Sequence, residues 1–414
     1  MAEPTRSTRS TRVQIASYNT NLQGNAGLPQ DLVDWLTPTF RTASTVDPPD
    51  IVAVGFQELL PLHLGFTGRS RHVVDSRNQL ILKEVQAHGG GEYTLVARSV
   101  NVGVALLVYA RDAGIGRRIT DVQTSWTGCG PLWMGNKGAV AVRFRVKAED
   151  EGAADEVFTF VNVHLTAHSH NLAQRLHDYI HIVRTLLFPP FAAKASPGPD
   201  TIYDSTHLFF FGDLNFRLIQ KDGLSYSSIQ EMANSPAGRQ KLAQLDELTT
   251  EMRNGNVCNG LHEGDFSSFK PTYKYLLTSE TDYSPKRAPA WTDRILFSTS
   301  SDAPTALKSN IKPIIYTSVP SYTTSDHKPV VAILDVPSPS PVSECAFPVL
   351  APPPSYLQPA TIPNLSRYTG KVCAWVIGWV WCVFRFIGMG RAGLGVGNVI
   401  IGVSAWTWWR KVPA

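Results

Sequence analysis

Eight side chains able to hold a hard metal ion or handle a proton, Asn19, Glu58, His164, Asp213, Asn215, Asp293, Asp326 and His327, fall at the end or start of an apolar stretch. Acid, amide and imidazole groups on one rim, with no cysteine among them, suit a divalent cation with oxygen ligands, and Mg2+ is the natural candidate. Such a site can polarise a phosphoryl oxygen and help activate water while an Asp or His takes the proton, which is the chemistry of phosphate-ester hydrolysis. Zinc fits less well, because no cysteine joins His164, His168 and His170 and no HExxH helix occurs.

These groups need stiff elements behind them. The run Leu208-Phe209-Phe210-Phe211 reads as a strand buried on both faces; Gly212 permits a tight exit, and Asp213 and Asn215 follow at once. Open sheets gather their chemistry where strands end. Taken alone, the pair is equally well explained by an Asx turn. Alternation predicts further strands over 13–19, ending in Asn19, over 50–56, ending beside Glu58, over 93–98 and 102–109, over 139–146, over 157–165, carrying Asn162 and His164 on one face, and over 330–336. Asp293-Arg294 precedes another. Helices are predicted over 30–36, 171–187, 225–233 and 239–252. An unpaired Glu58 beside such an apolar run is costly unless it is solvated or bound to a cation.

Several cations suit an anion. In Gly135-Asn136-Lys137-Gly138, glycines let backbone amides approach an anion and Lys137 adds a point charge, although an ordinary loop lysine fits as well and no P-loop pattern exists. Lys274, Lys286 and Arg287 sit in loops and short strands rather than along a helix face, which favours a localised anion pocket over a solvated stripe.

The chain has 414 residues, 43% apolar and 17% charged, as a globular protein does. Its formal charge of +4 is unevenly spread. Taking Arg6, Arg9, Arg12, Arg367, Lys371, Arg385, Arg391, Arg410, Lys411 and Glu3 from the totals of 38 basic and 34 acidic groups leaves 29 against 33 for residues 13–344. A mildly acidic body argues against a nucleic-acid partner. Five cysteines without metal spacing suggest a reducing compartment, and the polar N-terminus has no apolar core of a secretory signal. Residues 1–12 are expected to be a disordered basic segment.

Phe56-Gln57-Glu58, Gly135-Asn136-Lys137-Gly138, Asn162-Val163-His164-Leu165, Gly212-Asp213-Leu214-Asn215-Phe216-Arg217, Pro271-Thr272-Tyr273-Lys274-Tyr275, Pro289-Ala290-Trp291-Thr292-Asp293-Arg294 and Ser325-Asp326-His327-Lys328-Pro329 together resemble the inositol polyphosphate 5-phosphatases, in that family's motif order across residues 13–336. The wider endonuclease/exonuclease/phosphatase superfamily shares the Glu, Asp-x-Asn and Asp-His elements, while the tyrosine-lysine and Pro-Ala-Trp-Thr-Asp-Arg blocks belong to the 5-phosphatases. The resemblance implies an α/β fold of the DNase I-like kind, a four-layer sandwich of two mostly antiparallel sheets flanked by helices. It implies that Glu58, assisted by Asn19, binds magnesium; that Asp213 with Asn215 orients and deprotonates water; and that His327, paired with Asp293, and His164 bind the scissile phosphate, with Asp326 supporting the metal side. Whether the proton passes first to Asp213 or to the His327–Asp293 pair is left open. Tyr273, Lys274, Lys286 and Arg287 would grip a neighbouring 4-phosphate, and Lys137 another anionic oxygen. At Ala16-Ser17-Tyr18-Asn19 many members carry Thr-Trp-Asn; the asparagine is kept, so the difference concerns packing.

Beyond residue 336 the composition changes. Residues 337–366 are Pro/Ser-rich and predict an extended linker, and 367–414 predict a membrane-anchor tail. That tail holds thirteen uncharged residues over 372–384 and eighteen over 392–409, closed by Trp408, Trp409, Arg410 and Lys411. The second run just reaches spanning length, although a hairpin or an amphipathic interfacial tail also fits. The expectation is a membrane-tethered enzyme that takes the 5-phosphate from phosphatidylinositol 4,5-bisphosphate, the 3,4,5-trisphosphate or soluble inositol polyphosphates. It would work at a cytosolic endomembrane face, with the endoplasmic reticulum a candidate and no obligate protein partner evident. Its rivals are a nuclease acting on abasic sites and a non-catalytic membrane scaffold.

Overall fold

The computed structural model describes residues 10–24, 33–39, 47–149, 154–191, 198–220, 224–303, 306–338, 349–350, 354–386 and 404. Twelve strands are described: β1 (Thr11–Asn19), β2 (Ile51–Gln57), β3 (Tyr93–Asn101), β4 (Val104–Arg111), β5 (Ile119–Gly128), β6 (Gly138–Val146), β7 (Glu156–His164), β8 (His207–Asp213), β9 (His262–Glu263), β10 (Asp293–Thr299), β11 (Lys312–Ser318) and β12 (Val330–Val336). They form two six-stranded sheets, in the orders β11-β12-β1-β2-β4-β3 and β5-β6-β7-β8-β10-β9. Each sheet has one parallel pair at its centre, β1 with β2 and β7 with β8, and antiparallel neighbours beside it. The four C-terminal ends of those pairs share one rim.

Period-two alternation sorts the core. Val13 and Ile15 of β1 meet Phe160, Phe209 and Phe211 between the sheets, and Phe160 stacks on Phe209 at a ring-centroid distance of 4.8 Å. The intervening residues face the outer layers. Ala16 and Tyr18 pack with Trp35, Val74 and Ile81 under α2 (Ser70–His88), which follows the short α1 (Leu62–Phe66). Leu208 and Phe210 pack with Tyr179 and Ile182 of α3 (Leu172–Thr185). The helix–sheet–sheet–helix sandwich is the architecture expected from the sequence. At the sequence's departure from the commoner pattern, Tyr18 is fully buried against Trp35.

Two helix expectations are corrected. The predicted helix over 239–252 divides into α5 (Pro236–Ala243), behind α4 (Tyr226–Ala233), and α6 (Glu247–Arg253). Asp246 causes the break: its carboxylate accepts from Thr249 N at 2.9 Å, capping α6, and takes the buried Arg294 guanidinium at 3.0 Å. Of the helix over 30–36, the described part is a 3-10 turn, Asp34–Leu36. The sequence reading also passed over α2, β5 and β11.

After β12 the described linker residues are tied to the body. Val349 N donates to Tyr203 O at 3.0 Å, Ala360 N to Arg184 O at 2.9 Å, and Leu357 is buried in the core under α3. The strap leads into α7 (Pro363–Phe386), which packs on α1 and β5. Among the described residues no helix is long and apolar enough to cross a membrane. The predicted spanning run over 392–409 lies, but for residue 404, outside the described residues.

Candidate active site

Ladder register explains why distant residues meet. Across the second sheet Gly138 pairs with His164, His164 with Asp213 and Asp213 with Asp293, so β6, β7, β8 and β10 all reach the rim on one rung. In the first sheet Asn19 pairs with Gln57, placing Glu58 one residue beyond the same rim. The backbone bends sharply there: Glu58 and Asn215 hold φ values of 49° and 58°, in the left-handed region. Asn tolerates that conformation, whereas Glu does so at a cost that the surrounding structure must cover. Gly212 has φ 136°, and a Cβ there would lie 2.1 Å from Val163 O, so β8 can lie this close to β7 only with glycine.

Buried Asp213 accepts from Asn19 Nδ2 at 3.0 Å through Oδ2 and from Asn215 N at 3.1 Å through Oδ1. The Asx turn and the functional carboxylate are therefore one residue using different oxygens. His164 Nε2 stands 3.3 Å from Asp213 Oδ2 and 3.6 Å from Glu58 Oε1, and Lys137 Nζ donates to His164 Nε2. Burial, with Lys137 beside it, holds the His164 pKa down, so its imidazole is neutral. Burial would raise the Asp213 pKa, but the charges of His327 and Lys137 help to outweigh it and keep the carboxylate ionised.

Asp293 and His327 form a second buried unit. Asp293 Oδ2 accepts from Thr272 Oγ1 at 2.7 Å, Thr292 Oγ1 at 2.8 Å and His327 Nδ1 at 2.9 Å. Burial alone would lower the His327 pKa, but Asp293 and Asp213 carry it up to about 9. One donor atom each from Asp213, Asp293 and His327 lie within 4.8 Å of one another.

The substrate-side residues are more dispersed. Lys274 Nζ meets Asp326 Oδ2 at 2.6 Å, so the carboxylate expected to support the metal side is also paired with a lysine. Tyr273 lies with its ring 4.6 Å from that of His327 and 4.3 Å from the Arg217 guanidinium carbon. Lys286 and Arg287 are exposed. Tyr273, Arg217 and Arg287 line a cleft of about 320 Å³, and Lys137 lines a second of about 670 Å³; both include His168.

Four supporting roles were not assigned from the sequence. Thr272 and Thr292 hold Asp293; their place inside two of the quoted motifs was the available signal. Arg217 braces Asn215, donating through Nε to its carbonyl at 3.1 Å. Asn162 donates to Phe56 O at 3.0 Å and Ala105 O at 2.8 Å, stitching the sheets together beneath the site.

Residues 16–333 match the family described as Endonuclease/Exonuclease/phosphatase family 2. Type II inositol 1,4,5-trisphosphate 5-phosphatase of Mus musculus is 30% identical over 329 residues, 78% of this chain and 30% of that protein. Polyphosphatidylinositol phosphatase INP53 of Saccharomyces cerevisiae is 31% identical over 337 residues, 80% of this chain and 27% of that protein. The chain thus spans under a third of the length of these curated relatives. The crystal structure of the inositol polyphosphate 5-phosphatase domain of SPsynaptojanin, in complex with inositol (1,4)-bisphosphate and a calcium ion, superposes with a TM-score of 0.61 at 28% identity. The match covers 79% of this chain and 84% of that one. With the family match running from β1 to β12, the chain belongs to the endonuclease/exonuclease/phosphatase family and resembles its inositol polyphosphate 5-phosphatase branch.

Proposed function

We propose that the chain is a divalent-cation-dependent phosphomonoesterase that removes the 5-phosphate of phosphatidylinositol 4,5-bisphosphate, and of related inositol polyphosphates, at a cytosolic membrane face. The observation that carries it is the buried Asp213–Asp293–His327 cluster opening beside Lys137, Tyr273 and Arg287. The names of the relatives, which act on inositol phosphates and phosphoinositides, support the same reading.

The donor set fits a hard cation. Glu58 keeps its carboxylate 30% exposed on the rim, Asp213 stays ionised, and Asp293 Oδ1 is buried without a hydrogen-bond partner. His327 suits the role of ligand poorly, since its Nδ1 is committed to Asp293 and its raised pKa keeps the ring protonated. Glu58 and Asp213 would hold Mg2+, which supplies charge neutralisation at the phosphoryl oxygens. His327, charged by its pairing with Asp293, donates through Nε2 to the scissile phosphate. Asp213 accepts a hydrogen bond from the attacking water, and the Asn215 backbone N–H, in a turn braced by Arg217, holds that carboxylate in direction. Lys137 balances charge between Glu58 and the phosphate, while Arg287 and Tyr273 face the rest of the inositol headgroup.

The test is a phosphate-release panel over phosphoinositide vesicles, soluble inositol polyphosphates and abasic duplex DNA, with Mg2+ or with chelator. Chelator-sensitive release from 5-phosphorylated inositols alone is expected. Nicking of abasic DNA without phosphate release would transfer the chain to the nuclease side of its family.

A further inference from the structure

Among the described residues, the face of α7 turned away from the body is left exposed. Leu365, Val372, Trp375, Trp379 and Val383 recur at helical spacing, and each is between 47% and 64% exposed, while Tyr368 sets its ring edge-on to Trp126 of β5 at 6.3 Å. The opposite face is built for close packing. A Cβ on Gly370 would lie 1.9 Å from Trp133 O, and one on Gly378 would lie 2.5 Å from Phe66 Cβ, with Ala374 buried between them. The helix is pinned at two points about 12 Å apart along its axis, eight residues at the α-helical rise. Trp381 packs its ring 5.8 Å from His63 of α1, and Arg367 and Lys371 lie over Trp126 of β5 at 4.8 and 5.6 Å.

Those two points are the loops that flank the active site. Trp133 lies four residues before Lys137, and α1 begins four residues after Glu58. Leu132 and Trp133 are 59% and 44% exposed and line the Lys137 cleft. Exposed aromatic and aliphatic surface of this kind is costly in water.

We propose that the outward face of α7 lies flat on an anionic bilayer and that its rigid seating on both loops turns the active-site mouth toward the lipid. Charge favours a membrane over a second copy. No Asp or Glu occurs after Glu344, while Arg367, Lys371 and Arg385 line the helix and Arg391, Arg410 and Lys411 follow it. Two tryptophans on that face, Trp375 and Trp379, are of the side-chain type that settles at headgroup depth. A helix held along its length against the body cannot also stand across a bilayer without abandoning Trp133 and Phe66. The tail is then an orienting platform as well as a tether. The proposal rests on the phosphoinositide reading only for the lipid-turnover measurement.

Full-length protein is compared with Trp375→Ser/Trp379→Ser and Gly378→Leu, using phosphatidylcholine/phosphatidylserine vesicles with and without brominated acyl chains. The tryptophans should be quenched by brominated lipid, and the double variant should lose that part of the quenching. Turnover of vesicle-borne phosphatidylinositol 4,5-bisphosphate should fall about tenfold in both variants while turnover of soluble inositol trisphosphate stays within about twofold. Gly378→Leu should still float with vesicles, because lifting the helix leaves the apolar tail intact. Unchanged lipid turnover with unchanged quenching overturns the platform, as does a shift in sedimentation showing that the variants abolish self-association alone. If the unsubstituted chain hydrolyses neither substrate, the catalytic reading fails, and quenching alone still decides the docking.

Discussion

The inner and outer halves of the site are built by different physics. His164, Asp213 and Asp293 share one ladder rung, His327 is tied to that rung through Asp293, and none of the four is more than 5% exposed. Their positions are fixed by backbone hydrogen bonds and by a core that stacks Phe160 on Phe209 directly beneath. Lys274, Lys286 and Arg287 sit on loops, with Lys274 35% exposed and already paired to Asp326. Charges on loops are screened by salt and lose side-chain entropy when they grip a ligand, so in the proposed function they would tune recognition while the buried rung carries the reaction.

If that division holds, the largest effect belongs to the rung. Asp213→Asn keeps the shape and the Asx turn but removes the charge, and kcat should fall on the order of 1,000-fold, about 4 kcal/mol in the transition state, with KM little changed. Steady-state phosphate release with soluble inositol trisphosphate measures it; a loss confined to KM would erase the distinction between the halves.

The His327–Asp293 pair is predicted to show itself without substrate. His327 titrates at about 9 when folded, against about 6.5 when unfolded, so the folded state binds the extra proton in between. The stabilisation is therefore fully present below pH 6.5 and is lost as pH rises through 9. It amounts to on the order of 3 kcal/mol for this buried group. Thermal melts of the metal-free protein across that window should show the decline, and Asp293→Asn should flatten it. Next in size, Thr272→Val removes one of three donors to Asp293 Oδ2, and an activity loss of about tenfold is expected in kcat with KM unaltered.

Much of the rim is legible in the sequence. Asn19, Glu58, His164, Asp213 and Asp293 announce themselves as polar groups beside apolar alternation, because burial on both faces of a strand leaves a strong local signal. Register is the part that was not legible: nothing local tells His164 that it will sit opposite Asp213, since that pairing is set by the whole sandwich. The break at Asp246 escaped for a similar reason, its partner Arg294 lying 48 residues away. The resemblance implies a metal-side role for Asp326, and its contact with Lys274, which spans 52 residues, is likewise announced by no local pattern. In the tail, Gly370, Ala374 and Gly378 mark a face pressed on protein only once the opposing Trp133 and Phe66 are seen.

The smallest effect should come from the outer half, and Arg287 tests it more cleanly than Lys274 does. Removing Lys274 also frees the Asp326 carboxylate, so its variant would mix lost attraction with new repulsion of a phosphate. Arg287 is exposed and lines the cleft beside Tyr273, so Arg287→Ala subtracts mainly its own charge and hydrogen bonds. KM for a 4,5-bisphosphorylated headgroup should rise about fivefold at low salt, the difference from wild type shrinking as salt is added, with kcat held. An inositol phosphate lacking the 4-phosphate should be hydrolysed equally by both proteins. A fall in kcat on that substrate would mean that Arg287 reaches the scissile phosphate, and the outer ring would then be part of the reaction centre it surrounds.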